Sequence, residues 1–424
     1  MERDKSSGCI FPKGFYWGAA TASHQVEGGN HNDWSEWEKS EKRVEDLKSK
    51  GLVEKYGLDN FISGRGADHY NKYKEDFKLA KELGHNATRF SIEWSRIEPE
   101  EGKFNEKEIQ HYKDVVKTLK GLGIEPFVTL WHWPIPIWMR DQGGWESSEM
   151  PKYFLRYAKK VVEALGKDVK FWITLNEPVV NSGMAYKEGV WPPQKRSVCK
   201  YLQVNRNLIR AHILAYKVIK SIDSKAKVGI AKNNAYYEEK GRCVVNKVIK
   251  LLVRYFGNDF WLKHIGKYQD FIGLNHYFHN QIYYGLNKNE NKITNDLGWE
   301  IWPTSLYYCL KELKKYNKPV YITENGLADS KDEKRIWFIF EMLKGVHKAI
   351  EEGIDVRGYL HWSLMDNFEW AEGYWPRFGL IEIDYKTLER KPRKSAHFYR
   401  DICVHNGITS STIEKYKKDI AKFS

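Results

Sequence analysis

The sequence predicts an α/β fold, a (β/α)8 TIM barrel. Three observations carry the prediction: eight short apolar or β-branched runs, amphipathic segments of helical period between most of them, and no composition break that would divide the chain. One domain over residues 1–424 is therefore expected.

Each run is punctuated by a residue that ends or bends a strand. Gly14 precedes 15–22, Asn86 precedes 87–94, Pro134 closes 125–133 and Pro178 closes 170–177. Asn234 ends 227–234, Asp270 opens 270–277, Pro319 and Gly326 bound 319–326, and Asp355 precedes 356–364. Helical periodicity is clearest at 70–83, 107–122, 150–165, 201–222 and 335–352. The charged, Gly-punctuated stretch 39–66 and the Asn-rich stretch 279–298 read as long excursions on the barrel rim.

Composition narrows the function classes. Lys and Arg total 69 against 56 acidic residues, for a net charge of +13. The basic residues are scattered, however, and the densest stretches, 386–394 and 415–422, lack the aromatic interleaving of a nucleic-acid module. The charge reads as solvated surface, with no nucleic-acid partner. Five widely spaced cysteines without a CxxC give neither a disulfide framework nor a zinc site, so a reducing compartment is expected. Residues 1–15 carry no apolar core of signal-peptide length, and no run is long enough for a membrane span. The expectation is a cytoplasmic protein needing no cofactor or metal. The 17 Trp and 26 Tyr exceed ordinary usage, which suits a surface that meets flat, partly polar sugar rings.

In a barrel of this kind the chemistry sits at the carboxyl ends of the strands. The fourth run ends in Thr-Leu-Asn176-Glu177-Pro and the seventh in Thr-Glu324-Asn-Gly, placing two carboxyls at one mouth from opposite sides. Either alone reads as a solvated loop residue. As a pair they meet the needs of acetal cleavage: one group protonates the leaving oxygen while the other faces the anomeric carbon. An ionised neighbour raises the acid, and a cation such as Arg89, at the end of the second run, holds the nucleophile charged. Glu177 is therefore expected mostly protonated and Glu324 ionised at neutral pH.

At these residues the chain resembles glycoside hydrolase family 1, the β-glucosidase and β-galactosidase group. The resemblance runs in order through Phe-Tyr-Trp-Gly-Ala-Ala-Thr-Ala-Ser-His-Gln25, Arg89-Phe-Ser-Ile-Glu-Trp-Ser-Arg, Trp-His132-Trp-Pro and the two glutamate motifs. It continues through Asn275-His276-Tyr277, Trp362-Ser-Leu-Met-Asp-Asn-Phe-Glu369-Trp370 and Arg377-Phe-Gly-Leu, covering nearly the whole chain. It implies Glu177 as acid/base, Glu324 as nucleophile, a covalent glycosyl intermediate and retained β configuration. It further implies that Tyr277 and Arg89 contact the nucleophile and that Asn176 binds the sugar 2-hydroxyl. Gln25, His132, Glu369 and Trp370 are left for the other hydroxyls, with Trp362 under the ring. Trp299, at the edge of a rim excursion, is a candidate for stacking on the aglycone or for core packing.

Relatives acting on 6-phosphorylated sugars carry Ser where this chain has Glu369, followed by Lys and Tyr where it has Pro376 and Phe378. A carboxylate at Glu369 repels phosphate, so an unphosphorylated small-molecule β-glycoside is expected. Glu177 itself argues against the thioglucosidase class, which has Gln there. Where the family reads Asn-Tyr-Tyr this chain has His276, which strand alternation turns away from the face of Tyr277. The chain is also short for the family, implying trimmed rim loops open to alkyl or aryl aglycones or short oligosaccharides. Transfer to an acceptor alcohol through the same intermediate, or glycan binding without catalysis, stay open as alternatives. So do the preferred sugar configuration and the oligomeric state.

Overall fold

The computed structural model describes residues 8–241 and 243–423, so the first seven residues of the stretch 1–15 lie outside it. Eight parallel strands close into a barrel: Tyr16–Ala20 (β1), Ala87–Ser91 (β2), Glu125–Trp131 (β3), Phe171–Asn176 (β4), Lys227–Asn233 (β5), Ile272–Asn275 (β6), Val320–Asn325 (β7) and Val356–Trp362 (β8). Neighbours pair in chain order, and β8 returns to β1 with Gly358 opposite Tyr16. Each strand is followed by a helix on the outside: His69–Glu82 (α1), Glu106–Gly121 (α2), Met150–Leu165 (α3), Val198–Ile222 (α4), Val244–Arg254 (α5), Ser305–Leu313 (α6), Arg335–Glu351 (α7) and Lys394–His405 (α8). The fold is the expected TIM barrel.

Alternation along β4 divides the apolar residues between two cores. Phe171 and Ile173 point into the barrel, while Trp172 joins the larger core between strands and helices. The amino end of the barrel is plugged by aromatic side chains. Phe127 and Phe171 stack with ring centroids 4.2 Å apart, and Tyr16, Phe271 and Tyr321 close around them. Such a plug keeps that end dry and leaves the carboxyl end as the place where polar side chains can converge.

The expected strands run one to three residues too long at all eight carboxyl ends, because the chain leaves the sheet just where it presents functional side chains. The excursion 39–66 folds into the short helices Glu41–Ser49 and Leu52–Tyr56. The excursion 279–298 begins as a strand, His279–Ile282, paired in parallel with Tyr236–Glu239 in a small sheet above the barrel. Among the described residues no helix is long and apolar enough to cross a membrane.

Candidate active site

Both glutamate strands carry the same local device. On β4, Ile173 and Asn176 both point inward although three residues apart, a spacing that puts side chains on opposite faces of a regular strand. The pairing with β5 shifts register between these two residues. On β7, Tyr321 and Glu324 are likewise three apart and both inward, and the register against β6 shifts between Ile322 and Glu324. The irregularity re-aims the strand end toward the mouth, the common use of a bulge beside an active site. Glu177 then follows β4 in the left-handed region, at φ 41°, with its amide held by the Ala231 carbonyl at 2.8 Å.

The inward groups form one hydrogen-bonded layer. Arg89 is fully buried; its guanidinium donates to Thr129 Oγ1 at 2.9 Å, to Asn176 Oδ1 at 2.7 Å and to Glu324 Oε1. The Tyr277 hydroxyl donates to Glu324 Oε2 at 2.9 Å. Asn275 donates to Glu177 Oε1 at 2.9 Å and to Asn176 Oδ1 at 3.1 Å, and accepts from Thr323 Oγ1 at 2.7 Å. Asn233 gives Glu177 Oε1 a second bond at 3.1 Å. The five residues Glu177, Glu324, Arg89, Tyr277 and Asn176 thus meet in one cluster, all of them buried except the half-buried Tyr277. His276 faces the other way, bonded to the Asn234 carbonyl at 2.8 Å and to Ser305 Oγ at 2.7 Å.

The two carboxyls differ in what they touch. Glu324 holds the guanidinium; Glu177 holds only amides. Burial lifts both above their ordinary values, although in Glu324 the Arg89 guanidinium and the Tyr277 hydroxyl oppose the rise. Glu177 is pushed up to about 7, first by burial and then by the charge of Glu324, with the bonds from Asn275 and Asn233 opposing. With both amides on Oε1, the proton of the neutral acid belongs on Oε2. The layer therefore offers one acid that titrates near neutrality beside one carboxylate held by a cation, the combination that acetal cleavage requires.

Around it stand the other residues expected from the sequence. Asn176 Nδ2 meets His132 Nε2 at 2.9 Å, and His132 Nδ1 is buried without a protein partner. Gln25 is anchored through Nε2 to Asn367 Oδ1 at 3.0 Å and to the Phe368 carbonyl at 2.8 Å, leaving its buried Oε1 unpartnered. Glu369 Oε2 is also unpartnered, and burial followed by the charge of Glu324 pushes this carboxyl up to about 8. Glu369 is therefore mostly neutral at pH 7, so the charge repulsion of phosphate expected from this position is weaker than a carboxylate would give. Trp362 lies against His132 with ring centroids 6.0 Å apart, and Trp370 packs on His132 and Trp133. Trp299 is half-buried, 4.8 Å from Phe278 and 6.2 Å from Tyr277. Trp133 and Asn181 also line a cavity of about 470 Å3 whose walls include Trp37, Trp145 and Tyr186.

Asn233, Asn275, Thr129, Thr323 and Asn367 were not assigned roles from the sequence. Four of them share a signal, a polar side chain at the carboxyl end of a barrel strand, and Asn233 lies opposite Asn275 in the β5–β6 register. Asn367 has no such signal; it matters only because it fixes Gln25.

A model of glycosyl hydrolase family 1 matches residues 8–271 and 258–408. The chain belongs to this family. It is a glycoside hydrolase acting with retention of configuration. Beta-glucosidase A of Thermotoga maritima is 36% identical, over 94% of this chain and 98% of that protein. The solved beta-glycosidase from Pyrococcus horikoshii superposes with a TM-score of 0.86 at 38% identity, covering 96% of this chain and 98% of the other. A beta-galactosidase of Pyrococcus woesei is 29% identical over 96% of this chain and 99% of its own length.

Proposed function

We propose that this glycosidase hydrolyses terminal, unphosphorylated β-D-glycosides, β-glucosides foremost, with β-galactosides and β-fucosides as side substrates. Glu324 attacks the anomeric carbon while Glu177 passes its Oε2 proton to the leaving oxygen. The C–O bond to the aglycone breaks as the Glu324–carbon bond forms. Glu177, now ionised, then takes a proton from water, whose oxygen displaces Glu324 and restores the starting state. The observation that carries this reading is the unequal setting of the two buried carboxyls, one on Arg89 and Tyr277, the other on amides alone.

Asn176 is assigned to the 2-hydroxyl, where bonds strengthen in the transition state. Gln25, His132 and Glu369 are assigned to the remaining hydroxyls, since each keeps a buried polar atom without a protein partner. Trp362 and Trp370 wall the ring, and Trp299 is assigned to the aglycone side. The alignment with the T. maritima enzyme spans 450 positions while 94% of this 424-residue chain is aligned, so that relative carries insertions absent here. Together with the aromatic-walled cavity beside Trp133, this supports acceptance of alkyl, aryl or short oligosaccharide aglycones. The five unpaired cysteines support a reducing, cytoplasmic setting.

A panel of nitrophenyl β-glycosides with a 6-phospho analogue, ranked by kcat/KM, tests the substrate reading. The glucoside is expected first and the phosphorylated analogue last. Glu324→Ala should abolish nitrophenol release and azide should partly restore it as the glycosyl azide; full activity in that variant would overturn the assignment.

A further inference from the structure

The segment after β5 carries a helix mounted inside out. The polar side of α5 faces the protein: buried Asn246 donates to the Lys240 carbonyl at 2.9 Å and accepts from the Tyr284 amide at 2.8 Å. Lys250 pairs with Glu239 at 3.7 Å and Arg254 with Glu312 at 3.6 Å. The apolar side faces water. Val244 is 75% exposed, Leu251 63% and Phe256, one turn on, 60%, with Val248 and Leu252 completing the stripe. Tyr284, 64% exposed, stands beside them from the neighbouring rim excursion. Of the seventeen large apolar side chains exposed among the described residues, ten fall in α5, the turn after it and the stretch 283–286, so this is one patch rather than scatter.

A contiguous apolar patch of this kind marks an interaction surface, and its charge fringe says of what kind. Between Val244 and Arg254 there is no acidic residue. Exposed Lys247 flanks the stripe without an ion-pair partner among the described residues, and Lys263 and Lys288 are exposed nearby. A second copy meeting this face across a two-fold axis would bring two faces of the same positive sign together, with no carboxylate on α5 to neutralise them. A surface both apolar and negative fits instead.

We propose that α5 docks the enzyme peripherally on an anionic lipid surface. The helix lies in the interfacial plane, its Val/Leu/Phe stripe at the acyl boundary and the lysine fringe on headgroup phosphates. Just past α5, Asn258 accepts from the Ala235 amide at 3.2 Å and donates to its carbonyl at 2.8 Å, beside the carboxyl end of β5, so the docked face belongs to the same end of the barrel as Glu177 and Glu324.

The test is co-sedimentation of the full chain with vesicles of phosphatidylcholine alone or with about 30% phosphatidylglycerol. Binding to the anionic vesicles should be at least about tenfold stronger than to the zwitterionic ones and should weaken with added salt. Leu251→Glu with Leu252→Glu should abolish it, and Lys247→Ala should weaken it about fivefold. Both variants should keep wild-type hydrolysis of a nitrophenyl β-glucoside and wild-type thermal unfolding, since none of these residues touches the barrel layer. Failure of the wild type to bind, or binding that the Leu variant leaves unchanged, overturns the proposal. So does a solution dimer that the same variant dissociates, which would assign the face to a second copy.

Discussion

Arg89 donates through its guanidinium to Asn176 Oδ1 at 2.7 Å, and this one bond fixes the protonation of a third residue. A guanidinium can only donate, so the Asn176 atom facing it must be oxygen, and the amide nitrogen must face His132 Nε2 at 2.9 Å. Burial and the nearby Arg89 hold the imidazole neutral, far below its usual range. His132 therefore accepts at Nε2 and carries its proton on Nδ1, the atom left without a protein partner. Asn176→Asp keeps the acceptor for Arg89 but removes the donor to His132, reversing the tautomer. The expected result is a loss of about 10²–10³ in kcat/KM, together with a changed imidazole nitrogen shift for His132 by NMR. An unchanged shift would refute the chain of bonds.

The pH dependence of kcat/KM reports the free enzyme's essential groups. With Glu177 pushed up to about 7, the protonated acid is lost as pH rises, and the alkaline limb should have its midpoint near 7. Glu177→Gln should lose that limb; a dinitrophenyl glycoside, whose leaving group needs no proton for the first step, keeps the variant's rate measurable by stopped-flow release of the phenol. For the wild type the limb is read on an alkyl glucoside, whose leaving oxygen does need the proton, and a kcat/KM flat to about pH 9 there would contradict it.

The same raised acidity makes Glu177 a stability cost. Its folded value, about 7, lies above its ordinary 4.5. Below 4.5 the carboxyl is protonated in both states and costs nothing; as pH rises toward 7 the unfolded chain ionises first, and stability falls by about 3 kcal/mol. Glu177→Gln keeps an oxygen to accept from Asn275 and Asn233 but cannot ionise. It should therefore be more stable than wild type at pH 8, with the gap closing below about pH 4.5 in chemical denaturation.

The eight strands and the two glutamate motifs were legible because their signals are local: an apolar run, a breaker, a carboxyl after the run. What decides the site's geometry is not local. The register shifts at Ile173–Asn176 and Ile322–Glu324 leave no mark in periodicity, since each strand reads as regular until it is paired. Asn233 and Asn275 read as ordinary strand-end amides until closure of the barrel brings both to Glu177. Glu369 was read as a carboxylate because its type is visible in sequence and its burial is not. The helix α5 has strong helical periodicity, but periodicity is the same whichever face meets the protein, and here it is the polar one.

The aromatic plug should bear on stability and little on chemistry. Phe171 stacks on Phe127 at 4.2 Å and touches Tyr321 at the amino end of the barrel, opposite the carboxyl layer. Phe171→Ala leaves a cavity that the rigid barrel cannot close, costing about 3–5 kcal/mol. Well below the lowered melting temperature, kcat/KM for a nitrophenyl glucoside should stay within about twofold of wild type. A large kinetic defect there would mean that the plug sets the register of the strand ends as well as the core.

Glu369 allows a test by subtraction. Its Oε2 has no protein partner, and burial keeps the carboxyl mostly neutral near pH 7, able to donate as well as accept. If it serves the 4- and 6-hydroxyls together, Glu369→Ala removes two contacts to a galactoside but only one to a fucoside, its 6-deoxy analogue. Removing a buried partner of a substrate hydroxyl costs about 1–3 kcal/mol in the transition state. The variant should therefore lose about 10–100-fold more kcat/KM on the galactoside than on the fucoside. Equal losses on both sugars would restrict Glu369 to the 4-hydroxyl.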